Sequence, residues 1–314
     1  MTGIHDDFQA VQPLSSPVAV IGSANADLTV RVQAMPQPGE TIHGGPLVTL
    51  PGGKSANQAV ASALLGAPTS FIGAVGRDDN GNFLLSSLRD AGVDVQYVRR
   101  VDIPTSCAVI TVDARAENMI VVTRGANETV GIDAVEEARE VIEGAEVLGL
   151  ACEIPMETVT AAAQIAKAAG TTVVLNPSPL PSVIPEALLR SVDVLIVNEG
   201  EMRALIGDAG EEWAAAEVAL RELGVDRAIV TLGPRGAVVL DRGATLVPTI
   251  DVPVVDTTGC GDSFTGAIVA ALAAGSDLVA ASKFASVVAS FAAAGEGAQA
   301  SYGTVEQIEA ALLR

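Results

Sequence analysis

A carboxylate stands at the end of a glycine-rich turn in the last third of the chain. The segment 256–264 reads DTTGCGDSF, with Gly259 and Gly261 just ahead of Asp262. Glycine lets the backbone approach an anion closely, and free N–H groups at the start of a following helix would bind it. A carboxylate at such a site is suited to removing a proton from a hydroxyl that attacks phosphorus. An Asp-capped helix after a tight turn has the same local sequence, so this motif alone leaves both interpretations open.

A second glycine-rich segment, PGGKSANQ at 51–58, places Lys54 and Asn57 at the predicted start of a helix. Their side chains and the exposed backbone N–H groups suit hydroxyls or anions as ligands. The segment is not a P-loop, because Val48 stands where that motif needs its first glycine. Taken alone, it is equally compatible with an ordinary loop before a helix.

Polar residues follow several predicted strands at the point where each strand ends. The segment GSANAD at 22–27 leaves a buried strand, and its Asn25 and Asp27 suit either paired hydroxyls or an Asx turn. Ligands bind beyond the carboxyl ends of parallel strands, so the recurrence favours a shared site. The later residues of this kind are Glu153, Asn198, Glu201 and the turn 231–236.

The elements that must position these residues alternate between apolar runs and helical periods. In the first 130 residues we predict strands at 18–22, 28–32, 41–50 and 71–75, helices at 53–65 and 83–88, and a hairpin of 108–113 with 119–123. Further on we predict strands at 147–151, 172–175, 193–197, 227–231 and 249–255, helices at 132–143, 156–169, 185–190, 199–206, 212–223, 264–274 and 279–293, and a hairpin at 236–248.

This alternation predicts an α/β fold with a doubly wound, mainly parallel sheet flanked by helices. The early hairpin-like pieces do not fit the alternation and predict a small β-sheet lid. We therefore expect an α/β domain from 16–27, 51–103 and 125–314, a lid from 28–50 and 104–124, and a flexible tail at 1–15.

Composition excludes several classes of function. The formal charge of −20 argues against nucleic acid or an anionic membrane as a partner. The cysteines at 107, 152 and 260 are scattered and suit reduced thiols in a cytoplasmic protein. Histidine occurs only at 5 and 43, which disfavours His-based zinc sites and Ser-His-Asp hydrolysis. The first ten residues lack the pattern of a signal peptide, and we see no stretch that predicts a membrane span.

Taken in order, these motifs resemble the PfkB-type carbohydrate kinases of the ribokinase-like family. The resemblance runs from about Val18 to the C-terminus. The segments that carry it are 22–27 (GSANAD), 38–41 (PGET), 52–59 (GGKSANQA), 76–81 (GRDDNG), 198–201 (NEGE) and 256–262 (DTTGCGD). Two positions depart from the family pattern. Cys260 replaces the usual alanine and could make the site sensitive to thiol reagents, and Ser55 replaces a common glycine and could narrow the sugar pocket.

The resemblance implies a role for each of these residues. Asp262 would be the base, and the backbone N–H groups of Gly259, Cys260, Gly261 and Asp262 would form the anion hole. The residues implied to hold the sugar are Asn25, Asp27, Gly53, Lys54, Asn57, Glu153 and Asp262. Those implied to border the nucleotide and its Mg²⁺ are Asn198, Glu201, Thr231, Leu232, Gly233, Pro234, Arg235, Gly236, Gly261 and Ser286.

The resemblance also implies cofactors and partners. ATP and Mg²⁺ would be required, and a monovalent cation, usually K⁺, would lie beside the anion hole. The matching positions for that cation are Asp256, Thr258, Ala292, Gly295, Gly297 and Ser301. The lid would close over the sugar and exclude water, and we expect a homodimer that pairs through the lid. The first substrate implied is D-ribose, phosphorylated at its 5-hydroxyl.

Other readings remain open at this point. A kinase of the same family could act on fructose, a 2-keto-3-deoxy sugar acid or a nucleoside. The lid offers apolar Ile42, Leu47 and Ile110 but no aromatic residue for a nucleoside base. A non-catalytic sugar sensor would share the fold, although a sensor has no use for Asp262. A dinucleotide-binding dehydrogenase is disfavoured, because no GxGxxG follows the first strand.

Overall fold

Buried runs of Val, Ile, Leu and Ala form the centre of a large sheet. The computed structural model describes residues 8, 11, 14–115, 117–208 and 212–313. The described strands are β1 (Val18–Ile21), β2 (Asn25–Arg31), β3 (Val48–Gly52), β4 (Thr69–Gly76), β5 (Val98–Val101), β6 (Cys107–Val112), β7 (Asn118–Val122), β8 (Val147–Ala151), β9 (Thr172–Asn176), β10 (Val194–Asn198), β11 (Ala228–Thr231), β12 (Ala237–Leu240) and β13 (Ala244–Val247).

The described helices cover both faces of that sheet. They are α1 (Lys54–Leu64), α2 (Asp79–Asp90), α3 (Ile132–Glu137), α4 (Arg139–Glu143), α5 (Met156–Ala169), α6 (Glu186–Leu189), α7 (Glu199–Ile206), α8 (Trp213–Glu222), α9 (Cys260–Ala273), α10 (Leu278–Ala293) and α11 (Val305–Leu312). One apolar core lies under α3 to α8, and two others lie under α1, α2 and α9 to α11.

The large sheet has the strand order β13-β12-β11-β10-β9-β8-β1-β4-β5. Its pairs are parallel from β5 to β11, and β12 and β13 add an antiparallel hairpin at one edge. Strand β1 pairs with β4 along one edge and with β8 along the other, so the strand order runs in opposite directions on its two sides. This reversal creates a crevice at the carboxyl ends of β1 and β8, where ligands bind in such folds. The predicted fold class is confirmed.

A separate small sheet has the order β3-β2-β6-β7. Strands β2 and β6 are parallel, and the other two pairs are antiparallel. Its strands extend beyond the predicted lid range of 28–50, because Asn25–Asp27 pair with Leu50–Gly52. Asn25 and Asp27 therefore lie on a strand of the small sheet and not in a turn of the large one.

Three local predictions are wrong. The segment 249–255 is not a strand, because its polar groups bond to helix α10 instead of to a neighbouring strand. The Thr249 hydroxyl lies 2.8 Å from Ser290 Oγ, and the Val255 N–H donates to the carbonyl of Ala293. The strand predicted at 41–50 begins only at Val48, after a Gly-Gly-Pro run that disfavours strands. Helix 132–143 is divided at Ala138 into α3 and α4.

The N-terminal tail is only partly described. Residues 1–7, 9, 10, 12 and 13 lie outside the described residues, and the prediction of a flexible tail cannot be followed there. Phe8, Val11 and Leu14 are buried, and the Phe8 ring stacks on Phe284 with a centroid distance of 4.8 Å. The prediction of a loose tail is wrong for these three residues, because their apolar side chains are removed from water.

Candidate active site

Asp262 lies in the first turn of α9, with only 7% of its surface exposed. Gly259 precedes this helix with φ +75°, a conformation that glycine adopts without strain. A Cβ at Gly259 would lie 2.6 Å from the Tyr302 hydroxyl, which donates to the Gly259 carbonyl at 2.8 Å. The turn that presents Asp262 is therefore fixed by close packing against Tyr302.

The start of α9 provides unpartnered backbone donors. The N–H groups of Gly261 and Asp262 precede the first intrahelical bond, and no backbone bond is recorded for them among the described residues. A Cβ added to Gly261 would meet nothing within 4 Å, so open space adjoins this turn. The positive end of the helix dipole reinforces these donors. Backbone donors beside open space at a helix start are able to bind an anion.

Helix α1 meets this turn directly. The Asn57 amide donates to Asp262 Oδ2 at 2.9 Å, and Gln299 Nε2 donates to Asn57 Oδ1 at 2.9 Å. Burial raises the pKa of Asp262, while the Lys54 charge and the Asn57 hydrogen bond act against that rise. Lys54 and Asn57 of the 51–58 segment therefore favour the ionised form of this buried carboxylate.

Three carboxylates face one another at this site. Burial, followed by the charges of Glu153 and Asp262, raises the pKa of Asp27 to about 7. A Cβ at Gly52 would lie 2.2 Å from Asp27 Oδ2, so a glycine is needed opposite this side chain. Carboxylates crowded in this way are suited to accept hydrogen bonds from the several hydroxyls of a sugar.

Glu153 closes the crevice between β1 and β8. Its Oε2 accepts from the Ser23 hydroxyl at 2.5 Å and from the Lys54 N–H at 3.0 Å. Ser23 follows β1, Glu153 follows β8 and Lys54 begins α1, so one carboxylate joins three segments. The structure therefore brings the predicted sugar residues together: Asn25, Asp27, Gly53, Lys54, Asn57, Glu153 and Asp262.

A cavity of about 400 Å³ lies beside these residues. Glu153 lines it after β8 of the large sheet, and Asn25 on β2 and Val122 to Arg124 at the end of β7 line it from the small sheet. A second cavity of about 570 Å³ lies between α10, α11 and Ile250–Val252. Of the predicted sugar residues, Asn25 and Glu153 line the first cavity, and none lines the second.

The predicted nucleotide residues lie after strands β10 and β11. Asn198 and Glu201 cap α7 reciprocally, since the Asn198 side chain accepts from the Glu201 N–H and Glu201 Oε2 accepts from the Asn198 N–H. Glu201 lies close enough to Cys152, the residue after β8, for its negative charge to contribute to the raised pKa of that thiol. Both side chains therefore have a structural role in addition to any ligand contact.

The 231–236 turn links to the same helix. Thr231 ends β11, and Gly233–Arg235 form a 3-10 turn in which Arg235 pairs with Glu199. Ser286 is buried on α10. No described hydrogen bond joins Thr231, Leu232, Gly233, Pro234, Arg235, Gly236 or Ser286 to Asp262.

Two of the predicted cation residues, Thr258 and Gly297, form hydrogen bonds with Asp256, and the other three lie close to one another. Its Oδ1 accepts from the Thr258 N–H at 2.9 Å, and its Oδ2 accepts from the Gly297 N–H at 3.0 Å. The Gly295 N–H donates to the Ala292 carbonyl, and a Cβ at Gly295 would lie 2.7 Å from Ser301 Cβ. These turns are next to the anion site, because Val255 and Asp256 lead into 257–262.

The two departures from the family pattern have different outcomes. Burial, followed by the charges of Asp256 and Asp262, raises the pKa of Cys260 to about 11, which opposes the predicted reactivity with thiol reagents. Ser55 is fully buried, and its Oγ would lie 2.0 Å from a Cβ at Gly22. Its side chain fills the space that Gly22 leaves and does not line the 400 Å³ cavity.

Several residues of the site escape sequence reasoning. The predicted residues are also contacted by Ser23, Asn127, Gln299 and Tyr302, and the last three lie in segments that carry no recognisable motif. Ser23 lies inside the 22–27 segment and could have been found there. The other three reach the site only through tertiary packing.

Among the described residues, no helix combines the length and apolar character needed to cross a membrane. Within 8, 11, 14–115, 117–208 and 212–313, no group of three or more His, Cys, Asp or Glu residues is arranged to hold a metal ion.

Known proteins are similar to this chain in sequence and in fold. Residues 16–304 match the pfkB family carbohydrate kinase. The chain is 35% identical to the ribokinase of Arabidopsis thaliana over 299 residues, which are 92% of this chain and 79% of that protein. It is 34% identical to the deoxyribokinase of Salmonella typhi over 295 residues, which are 92% of this chain and 96% of that protein.

A solved structure extends the similarity to three dimensions. Arabidopsis thaliana ribokinase complexed with ribose and ATP aligns with a TM-score of 0.89 and 34% identity. The alignment covers 96% of this chain and 99% of that one. The matched family and the similarity of sequence and fold together show that the chain belongs to the pfkB family of carbohydrate kinases.

Proposed function

We propose that this protein is an ATP-dependent sugar kinase that phosphorylates the 5-hydroxyl of D-ribose. The observation that carries the proposal is the buried Asp262 beside the unpartnered N–H groups of Gly261 and Asp262. A base and an anion site at one helix start are what phosphoryl transfer to an alcohol requires. The ribokinase relatives, one of them solved with ribose and ATP, support the choice of sugar.

In the proposed mechanism, the protein mainly positions groups and stabilises charge. Asp262 accepts the proton of the attacking hydroxyl, and its raised pKa brings the base closer to neutral pH. The N–H groups at the start of α9 stabilise the negative charge of the transferred phosphoryl group. Asn25, Asp27 and Glu153 hold the remaining hydroxyls so that one of them faces Asp262.

ATP supplies the phosphoryl group, and Mg²⁺ would neutralise its phosphate charges. We assign the nucleotide to the turn 231–236 and to Ser286. We assign the Mg²⁺ side to Asn198 and Glu201, whose oxygens suit that ion although both residues also cap α7. The turns around Asp256 are rich in carbonyl and carboxylate oxygens, which suits the proposed K⁺ site.

The small sheet is the proposed lid and dimer contact. All five residues of β7 are exposed, including Met119 to Val122, and β6 adds Val109. Apolar surface of this kind is usually covered by a partner. We propose that a second copy covers it. We also propose a cytoplasmic location, because the three cysteines are free thiols.

One related substrate is favoured by a specific observation. The deoxyribokinase of Salmonella typhi is as similar to this chain as several ribokinases are. 2-Deoxyribose differs from ribose by one hydroxyl, so the polar groups facing that hydroxyl decide between the two sugars.

A direct assay tests the proposal. ATP consumption with Mg²⁺ is measured on ribose, 2-deoxyribose, fructose, 2-keto-3-deoxygluconate and adenosine, with and without K⁺. The proposal predicts the highest kcat/KM on ribose and stimulation by K⁺. Preference for another sugar would reject ribose as substrate and keep the mechanism. An absence of turnover on all five would contradict the kinase itself.

A further inference from the structure

Asn127 lies beside Asn25 in the lining of the 400 Å³ cavity, and both ends of its side chain form hydrogen bonds. It lies in a 3-10 turn, Gly125–Thr129, that follows the last lid strand, and only 3% of its surface is exposed. Its Oδ1 accepts from the Ala24 N–H at 3.1 Å, and its Nδ2 donates to Asn25 Oδ1 at 2.8 Å. Asn25 is equally buried, with 4% of its surface exposed, and lines the 400 Å³ cavity.

Hydrogen-bond chemistry fixes the orientation of both amides. A backbone N–H can only donate, so the atom of Asn127 that faces Ala24 must be its oxygen. The other end of Asn127 is then an NH₂ group, which can only donate. The atom of Asn25 that it meets must therefore be Oδ1. This leaves Asn25 Nδ2 as the end of that amide available to a ligand.

The backbone of Asn127 is fixed in the same way. Its N–H donates to Ser106 Oγ at 3.1 Å, and the Ser106 hydroxyl in turn donates to the carbonyl of Arg124. Ser106 is fully buried where the chain enters the lid, and Arg124 lies where the chain leaves it. The orientation of Asn127 is thus tied to two of the connections between the sheets, the one before β6 and the one after β7.

We propose that Asn127 is a positioning residue that makes Asn25 an obligate hydrogen-bond donor toward the sugar. This inference rests on the proposed function, since it concerns the same sugar site. When ionised, Asp27 and Glu153 can only accept hydrogen bonds, so they pair with the O–H groups of the sugar. The oxygen lone pairs of those hydroxyls then need hydrogen-bond donors from other residues. Asn25 Nδ2 supplies one such donor. The site therefore selects a sugar that presents a hydroxyl lone pair to Asn25.

The substitution Asn127→Asp tests this role with little change of shape. The new side chain still accepts from Ala24, but its ionised carboxylate cannot donate to Asn25. The Asn25 amide is then expected to rotate and turn its oxygen toward the sugar. We expect the KM for ribose to rise by roughly 10- to 100-fold, the usual cost of an unpaired buried polar group. The KM for ATP should change by less than about twofold.

Two further variants separate this role from a loss of folding. Asn82 is an exposed residue on α2 whose Oδ1 accepts from Arg100. Asn82→Asp makes the same chemical change outside the sugar site and should leave both KM values unchanged. In an Asn25→Ala background, adding Asn127→Asp should raise the ribose KM no further, because the residue through which it acts is gone. An equal rise in both backgrounds would overturn the inference.

Amide NMR of the wild-type protein gives a readout that needs no activity. The inference predicts slow exchange of the Asn127 side-chain NH₂ protons, and rapid exchange of those of exposed Asn82. Equally rapid exchange of both would overturn it, whatever the substrate. A wild type that is inactive on ribose but protects Asn127 would instead contradict the proposed function alone.

Discussion

The Asn57 side-chain amide donates to Asp262 Oδ2 across 2.9 Å and joins segments 205 positions apart in the sequence. Burial raises the pKa of Asp262, and this hydrogen bond and the Lys54 charge work against the rise. Both contacts favour the ionised form of a carboxylate that is almost fully buried. Two glycine-rich segments, neither decisive alone, act as one unit through this contact.

Alanine substitutions at the two glycines of the turn should have different effects, one on catalysis and the other on stability. Gly261→Ala has space for its methyl group and should preserve stability, but it would crowd the anion site and lower kcat by roughly 10²-fold. Gly259→Ala meets Tyr302 and Ala298 at a positive φ and should lower the unfolding free energy by about 1–3 kcal/mol. Urea unfolding and kcat measured on both variants check this. Equal loss of stability in the two would contradict the assignment.

Asp27 should make stability depend on pH. Its pKa is about 7 in the folded protein and near 3.8 in the unfolded chain. Between these values the unfolded chain releases a proton that the folded protein retains, so stability falls as pH rises across this window. Asp27→Asn should therefore raise the unfolding free energy by roughly 1–3 kcal/mol at pH 8 and by little at pH 4.

Denaturant unfolding at both pH values measures that difference. Asp90→Asn, at an exposed carboxylate that ends α2, is the matched control and should show no such pH dependence. Sugar affinity should fall in Asp27→Asn, because a proposed hydroxyl acceptor loses its charge. A stabilisation of the same size at pH 4 and pH 8 would show that the site does not perturb Asp27.

Cys260 should react slowly with thiol reagents. Burial and the neighbouring carboxylates raise its pKa to about 11, so the thiolate fraction is small at neutral pH. We expect iodoacetamide at pH 7.5 to leave activity largely intact over a time that fully modifies free glutathione. Mass spectrometry of the modified peptide gives the rate. Rapid labelling with parallel loss of kcat would contradict this environment for the thiol.

A charged substitution on the small sheet should dissociate the proposed dimer into monomers. Val121 on β7 is 64% exposed in the single chain, and Val121→Glu would place a carboxylate in the apolar contact. Light scattering should give twice the chain mass of 31.8 kDa for the wild type and a single chain mass for the variant. Leu246→Glu on β13, also 64% exposed, should remain dimeric. A monomeric wild type would reject the dimer.

The sequence predicts most of the large sheet because its strands are buried and its helices are amphipathic. The bounds of β8, α5 and α7 match the prediction residue for residue. Short-range patterns determine such elements. The error at 249–255 has a long-range cause. The β-branched residues there favour a strand, but their hydrogen bonds go to α10 and not to a neighbouring strand.

In the site, too, residues placed by short-range patterns could be predicted and residues placed by long-range contacts could not. Residues in glycine-rich motifs, such as Lys54, Asn57 and Asp262, could be predicted, because their chemistry depends on local spacing. Asn127 and Tyr302 could not, because their contacts with the site are made to residues distant in the sequence. The orientation of Asn25 is a property of that packing, and no motif records it.

The most direct test compares the wild type with Asp262→Asn on ribose. ADP release gives kcat, and calorimetry gives the Kd for ribose. The account predicts turnover by the wild type, a kcat lowered by about 10²- to 10⁴-fold in the variant, and a ribose Kd that changes only slightly. An Asp262→Asn variant with near-normal turnover would contradict the central claim that this carboxylate is the base.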